Sequence, residues 1–341
     1  MRENDDGAAT AGHGSHDIQG ASRMDHASTQ SLSLRARLDP GLKAGVKKGA
    51  HSLIWILKII LPISLAVTLL QWTGWLQQLD FLLGPIMQAI ELPAEAALPI
   101  LLATLVSFYA ALASMAVIPF TQEQLILVAL FIMVAHMLIM EGVVQLKSGI
   151  GLAKITMFRL GAAVVAVLIV AQFFGDTTQA VASSASLAGQ APLAALLKTW
   201  ALDNLRLAAK IAGIILVVMV ALESLKALGW IHHLQRFFAP VMKALGLSRG
   251  VATMWVAGAA FGLVYGAAVI REEANKGHLS RQELEPLHIS LGINHSMVED
   301  PALLLAFGIS PFWSLVPRLL MAAFTVHAYR LAQKIRSRIS G

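Results

Sequence analysis

Eight apolar runs, most of them near the roughly 20 residues a helix needs to cross a bilayer, constrain this chain more than any other feature. They cover 54–72, 94–120, 125–146, 155–174, 207–228, 251–270, 287–307 and 311–328. Only 13% of the 341 residues are charged and 57% are hydrophobic, whereas a soluble domain carries about a quarter charged residues. The expected fold is an all-α integral membrane protein with the lipid bilayer as its first partner. The formal net charge of +6 does not point to nucleic acid, because Lys and Arg flank the apolar runs, where they set topology. There is no cysteine, which excludes disulfides, thiolate metal ligands and cysteine nucleophiles.

Residues 1–50 are polar and read as a disordered cytoplasmic tail without a cleavable signal peptide. His13, His16 and His26 in this tail are expected to be solvated. Arg35, Arg37, Lys43, Lys47 and Lys48 precede the first run, and Arg330, Lys334, Arg336 and Arg338 follow the last. Such clusters keep both termini in the cytoplasm of a multi-pass inner (cytoplasmic) membrane protein.

The two halves resemble each other. Gly74-Trp75, Pro85, Met87 and Leu92 recur at one constant offset as Gly229-Trp230, Pro240, Met242 and Leu247. After small gaps, His136 pairs with His288, Glu141 with Glu299, and Arg159 with Arg318. This order divides the chain into a tail (1–50), a first repeat (51–175), a linker (176–202) and a second repeat (203–335). The connection at 71–93 has no Lys or Arg, whereas its counterpart carries Lys226, Arg236, Lys243 and Arg249. The halves are therefore expected to be inverted. Inversion needs an odd number of crossings per half, so one run in each is broken or re-entrant. The polar-interrupted runs 125–146 and 287–307 are the expected ones. This scheme puts the charged loop Arg271 to Arg281 outside. The segments after each Gly-Trp read as interfacial helices.

Polar groups inside membrane runs are costly and therefore point to function. The densest set is His288, Ser290, Asn294, His295, Ser296, Glu299 and Asp300, of which His288, His295 and Glu299 share one helix face. This face suits a cation, a proton or a polar solute. His136 and Glu141 are the first-half candidates, and Tyr265 offers a ring for a planar ligand. Arg159 and Arg318 either form structural ion pairs with the repeat acids or snorkel to the interface. Gly258, Gly262 and Gly266 form a small-xxx-small pattern for close helix packing. Zinc or iron ligation by His288, His295 and Glu299 lacks an HExxH or paired-Cys pattern, so no metal or other cofactor is assigned. No catalytic constellation is present and no enzymatic activity is expected.

The sequence resembles the nucleoside-recognition, or Gate-domain, membrane proteins. Gly229-Trp230, Pro240, the stretch from Gly262 to Gly266, Glu272-Glu273, the stretch from Asn294 to Asp300, and Arg318 carry the likeness. The first half has the weaker set Gly74-Trp75, Pro85, His136, Glu141 and Arg159. Gate domains occur in nucleoside and ferrous-iron transporters and in paired spore-maturation proteins. The resemblance implies two tandem Gate-like repeats, with a site between them for a small nucleoside-like solute or an ion. The alternative it implies is a non-transporting assembly factor acting with a partner membrane protein. Either function is compatible with a homo-oligomer.

Overall fold

A computed structural model describes residues 34–179, 192–275 and 280–339. Among these residues every regular element is helical. Four stretches are long and apolar enough to cross a membrane: Leu38–Trp72, Gln122–Leu146, Leu152–Ala171 and Leu193–Ala227. Large apolar side chains such as Phe81, Met157, Phe173, Val217 and Phe324 point outward. That surface is unfavourable in water and ordinary in lipid, so the chain is an integral membrane protein.

Two long helices, α1 (Leu34–Trp72) and α8 (Leu193–Ala227), pack antiparallel. Gly41, Gly45 and Gly49 lie against Ser224, Val220 and Leu216 in turn, and a Cβ at Gly45 would stand 2.5 Å from Val220 Cα. Small residues at this spacing let helix backbones meet in a membrane. Farther along, Ser64 donates to Asn204 Oδ1 (2.9 Å) and Trp200 Nε1 donates to Ser64 Oγ (3.1 Å). The glycine seam carries α1 back to Leu34, inside the stretch expected to be a disordered tail. The three tail histidines lie outside the described residues. Helix α8 likewise starts within the expected linker.

The run at 94–120 does not cross. It forms a helical hairpin of α3 (Ala97–Leu105) and α4 (Phe108–Met115), reversing at Ser107, whose hydroxyl caps α4 by accepting from Ala110 N (3.1 Å). At 1.5 Å per residue each arm covers about half of the 30 Å core or less. The run at 251–270 does the same with α10 (Ala252–Phe261) and α11 (Leu263–Asn275). Gly262 turns the chain at φ +90°, and a Cβ at Gly266 would fall 2.5 Å from Gly258 Cα. The glycines are thus not on one face of a continuous helix. They face each other across a reversal. The expected crossing order is corrected here, because these hairpins are the elements that turn back.

The runs at 125–146 and 287–307 are interrupted, as expected. Helices α5 (Gln122–Ala135) and α6 (Leu138–Leu146) are separated by His136-Met137. Helices α12 (Arg281–Asn294) and α13 (Glu299–Leu304) are separated at residues 295–298. Both α5 and α12 start with capping boxes, Thr121 with Gln124 and Ser280 with Glu283. Each long segment ends in a further helix, α7 (Leu152–Ala171) and α14 (Pro311–Ile339). The segments after Gly74 and Gly229 form α2 (Trp75–Gln88) and α9 (Ile231–Ala244), each entered through a left-handed glycine.

Polar contacts sort these helices to two ends. At one end, Lys154 of α7 meets Glu285 of α12 at 2.9 Å, and Tyr329 of α14 bonds both. Ser248 donates to Glu283, whose carboxyl is held below the usual range by Ser280 N–H and the two serine hydroxyls. At the other end, Gln124 Nε2 donates to the Thr177 carbonyl, Thr177 Oγ1 donates to the Glu91 carbonyl, and Gln122 Nε2 donates to the Gly308 carbonyl. Helices α5 and α12 therefore start at opposite ends, as do α7 and α14. The first end carries Lys154, Lys243, Arg330 and Lys334, and the second carries Glu91 and Asp176. The α10–α11 hairpin enters from the first end and returns to it. That brings Arg271, which the sequence scheme put outside, to the same end as Lys154 and Arg330.

Gly266→Leu is expected to force the hairpin arms apart and lower the apparent melting temperature in detergent, by about 1–3 kcal/mol of overpacking or more. Gly161→Ala, where a new Cβ meets no atom within 4 Å, should leave it unchanged. Equal melting of the two variants would contradict the hairpin packing.

Candidate functional site

The site forms where α5 and α12 stop. At His136 and His295 the backbone turns extended (ψ 157° and 164°), and the next residues, Met137 and Ser296, take left-handed φ of +47° and +50°. A helix interrupted in a membrane frees carbonyls that water cannot reach. Two buried arginines satisfy them. Arg159 donates from Nε to Val134 O (2.9 Å) and from Nη2 to His136 O (2.7 Å). Arg318 makes the same bonds to Ile293 O (2.9 Å) and His295 O (2.8 Å). The rigid guanidinium fork fits two carbonyls at once.

The imidazoles are fixed in matching ways. His136 Nδ1 contacts Ile132 O at 2.9 Å and His295 Nδ1 contacts Leu291 O at 3.0 Å. A carbonyl oxygen only accepts, so both Nδ1 atoms carry hydrogen. The two Nε2 atoms then face each other at 3.0 Å. Glu141 Oε1 lies 3.2 Å from each, and its Oε2 pairs with Arg159 Nη1 at 2.8 Å. Asp300 Oδ2 stands 4.0 Å from His136 Nε2 and has no hydrogen-bond partner among the described residues. All six of these side chains are at least nine-tenths buried.

The contacts set His136 against His295 and put Asp300, not Glu299, nearest His136. The sequence reading paired His136 with His288 and Glu141 with Glu299, whereas His136 to His295 and Glu141 to Asp300 keep the spacing that relates Arg159 to Arg318. His288 sits two turns from the break. Its Nε2 donates to Ser148 O (2.9 Å) and its carbonyl accepts from Gln145 Nε2 (2.9 Å), so it braces α12 against the end of α6. Arg159 makes the expected ion pair. Arg318 does not bond Glu299, which accepts from Tyr109 OH at 3.0 Å instead. Asn294 is fully buried and its side-chain amide finds no partner among the described residues. The Tyr265 side chain lies outside the described residues.

Ser296, Glu299 and Asp300 open onto a chamber of about 260 Å³ that both hairpin tips line, through Tyr109 and Gly262. Phe261 and Glu299 also line a vestibule of about 750 Å³ that runs past Lys47, Lys48 and His51 of α1. Tyr109 is held edge-on by Trp55, with centroids 5.1 Å apart. Trp55 carries no sequence signal for a site, since an aromatic in a first span is common.

Fold and site together define an all-helical integral membrane protein with a charged centre buried at two helix interruptions. The chain is 30% identical over 280 residues to a protein of Bacillus subtilis (strain 168), the uncharacterized membrane protein YvoD, a match covering 80% of this chain and 88% of that one. It belongs to the YvoD family of membrane proteins. No family model and no solved structure matches it.

Arg159→Leu should strand Glu141 and free two carbonyls, at a cost of about 3–5 kcal/mol. The double variant Arg159→Leu with Glu141→Leu should recover part of that loss, because the unpaired buried charge is gone. Thermal unfolding in detergent checks both, and a double variant no more stable than the single one contradicts the ion pair.

Proposed function

We propose that this protein is a membrane transporter of two inverted, Gate-like copies, moving a small polar solute or ion through the site between them. The observation that carries this reading is the meeting of His136, Glu141, His295 and Asp300 where two helices break. Each of the two halves supplies one His, one acid and one arginine clamp. Intramembrane ionisable groups are kept where something polar passes or binds. Interrupted helices meeting across inverted repeats are a recurring transporter plan. The antiparallel course of α5 against α12 and of α7 against α14 supports inversion, and the resemblance to Gate-domain proteins supports the same plan. Each copy then crosses three times, with its hairpin entering and leaving on one side.

The orientation follows from charge. The end with Lys154, Lys243, Arg330 and Lys334 faces the cytoplasm of an inner membrane, by the excess of Lys and Arg in cytoplasmic loops. The vestibule beside Lys47 and Lys48 is then the cytoplasmic entrance, and Glu299 marks the joint between entrance and chamber. The proposal involves no chemical conversion of the solute. It leaves the protein's own partners as lipid and the transported species.

Cysteine substitution on this cysteine-free background tests the plan. Gln88→Cys and Asp176→Cys should react only with a membrane-impermeant thiol reagent added outside, and Lys243→Cys only with one added inside. Glu299→Cys should react with small hydrophilic reagents. Reaction of Gln88→Cys and Lys243→Cys from the same side, or an inert Glu299→Cys, would remove the basis for the proposal.

A further inference from the structure

From the buried cluster we infer that the species held at this site is a divalent transition-metal cation of the zinc class, ligated by His136 Nε2, His295 Nε2, Glu141 Oε1 and Asp300. This rests on the transporter reading for the cation's role as cargo, but the site itself stands on geometry.

Both Nδ1 atoms donate to carbonyls, so in neutral rings both Nε2 atoms present lone pairs. Together with Glu141 Oε1 they form a triangle of lone-pair atoms with sides of 3.0, 3.2 and 3.2 Å. Three acceptors this close repel unless an electropositive species lies among them. Four ligands at about 2.0–2.1 Å around a tetrahedral ion stand about 3.3–3.4 Å apart. The triangle is therefore one face of such a tetrahedron, slightly contracted. Asp300 Oδ2 is the natural fourth corner, and the three ligand atoms of His136, His295 and Asp300 lie within 4.8 Å of one another. Asp300 Oδ2 is buried and unpartnered among the described residues. A bound cation gives it a partner and accounts for the exposure it lacks.

A proton shared between the two rings also relieves the triangle, but it leaves Asp300 Oδ2 without a role. Two imidazoles with two carboxylates suit zinc, iron or manganese, whereas magnesium and calcium favour oxygen alone. Outer partners hold His136, His295 and Glu141 in place. Each ligating ring donates its far N–H to a carbonyl, and Glu141 is steadied through Oε2 by Arg159. Such outer partners orient metal ligands and tune their affinity. The cluster opens toward the chamber at Asp300, which gives the ion a way in.

The test is metal binding by the purified full chain in detergent, using Zn²⁺ for stoichiometry and Co²⁺ as a spectroscopic probe. One Zn²⁺ per chain and the ligand-field bands of tetrahedral Co²⁺ are expected. His295→Ala and His136→Ala should each weaken binding at least about 100-fold, and Arg159→Lys, acting through Glu141, by about 10–100-fold. Gly161→Ala, where a new Cβ meets no atom within 4 Å, lies outside the site, should bind as the parent does and serves as the folded reference. Variants are compared only where their size-exclusion profile and helix content match the parent. Absence of binding in the parent, equal binding in the His136→Ala/His295→Ala double variant, or a shared proton detected at the ring pair in metal-saturated protein would each overturn the inference. Zn²⁺ binding without Zn²⁺ flux in proteoliposomes would retire the transporter reading and leave the site. Flux of an organic solute without metal binding would do the reverse.

Discussion

Two buried arginines hold the centre of this molecule together. An α-helix that stops inside a bilayer leaves carbonyls facing a medium with no water, and each unpaired group costs several kcal/mol. Arg159 and Arg318 each span two such carbonyls, one before the break and one at it. That makes the breaks affordable, and the breaks turn His136 and His295 toward each other. Without the guanidinium forks, the carbonyls at both breaks would be left unpaired at a depth where water does not reach them. The arginines are in turn tolerable because acids lie near them, Glu141 in direct contact. Clamp and break occur together at both interruptions, and at the first the acid joins them.

The same constraint explains the hairpins. A chamber at the breaks must be closed from both ends without adding a full-length helix through it. Arms of eight to thirteen residues reach about midway and turn back. At their tips sit groups that meet the interrupted helices: the Met137 N–H donates to the Ala103 carbonyl, and Ser296 N–H donates to the Gly258 carbonyl. Hairpin and interrupted helix thus satisfy each other's backbone, so neither is stable at that depth alone. Gly262 is needed there because only a residue without Cβ accepts φ near +90° freely.

Membrane class and most apolar segments were legible in the sequence, because burial in lipid writes itself as runs of apolar residues. Arg159 and Arg318 were legible too, as charges within apolar runs, and each binds two carbonyls at a break. Which runs turn back was not. A 27-residue apolar run such as 94–120 carries the same signal whether it crosses once or folds into two short arms, and Ser107 is a weak mark for a reversal. The glycines at 258, 262 and 266 were seen, but a spacing of four fits a flat helix face as well as a turn flanked by close contacts. The pairing of His136 was missed for a related reason. His288 and His295 both follow from the order of landmarks, and only backbone contacts two turns apart decide between them. The glycine seam of α1 lies in a stretch whose basic residues masked it.

The two halves are not equal at the point where they meet, and the inequality has a physical consequence. Glu141 and Asp300 occupy corresponding positions, one methylene apart in length. The longer side chain reaches both imidazoles at 3.2 Å and still pairs with its arginine. The shorter one stops 4.0 Å from His136 and pairs directly with nothing among the described residues. A pair of equal acids on a two-fold axis would compete for the same two rings and hold any guest symmetrically. Unequal ones give three close groups and one that stands off from them. The unpartnered acid is on the side of Ser296, Glu299 and the chamber, where α12 is interrupted by four residues instead of two. The first half, with α5 almost wholly buried, therefore gives the cluster its more closely packed wall.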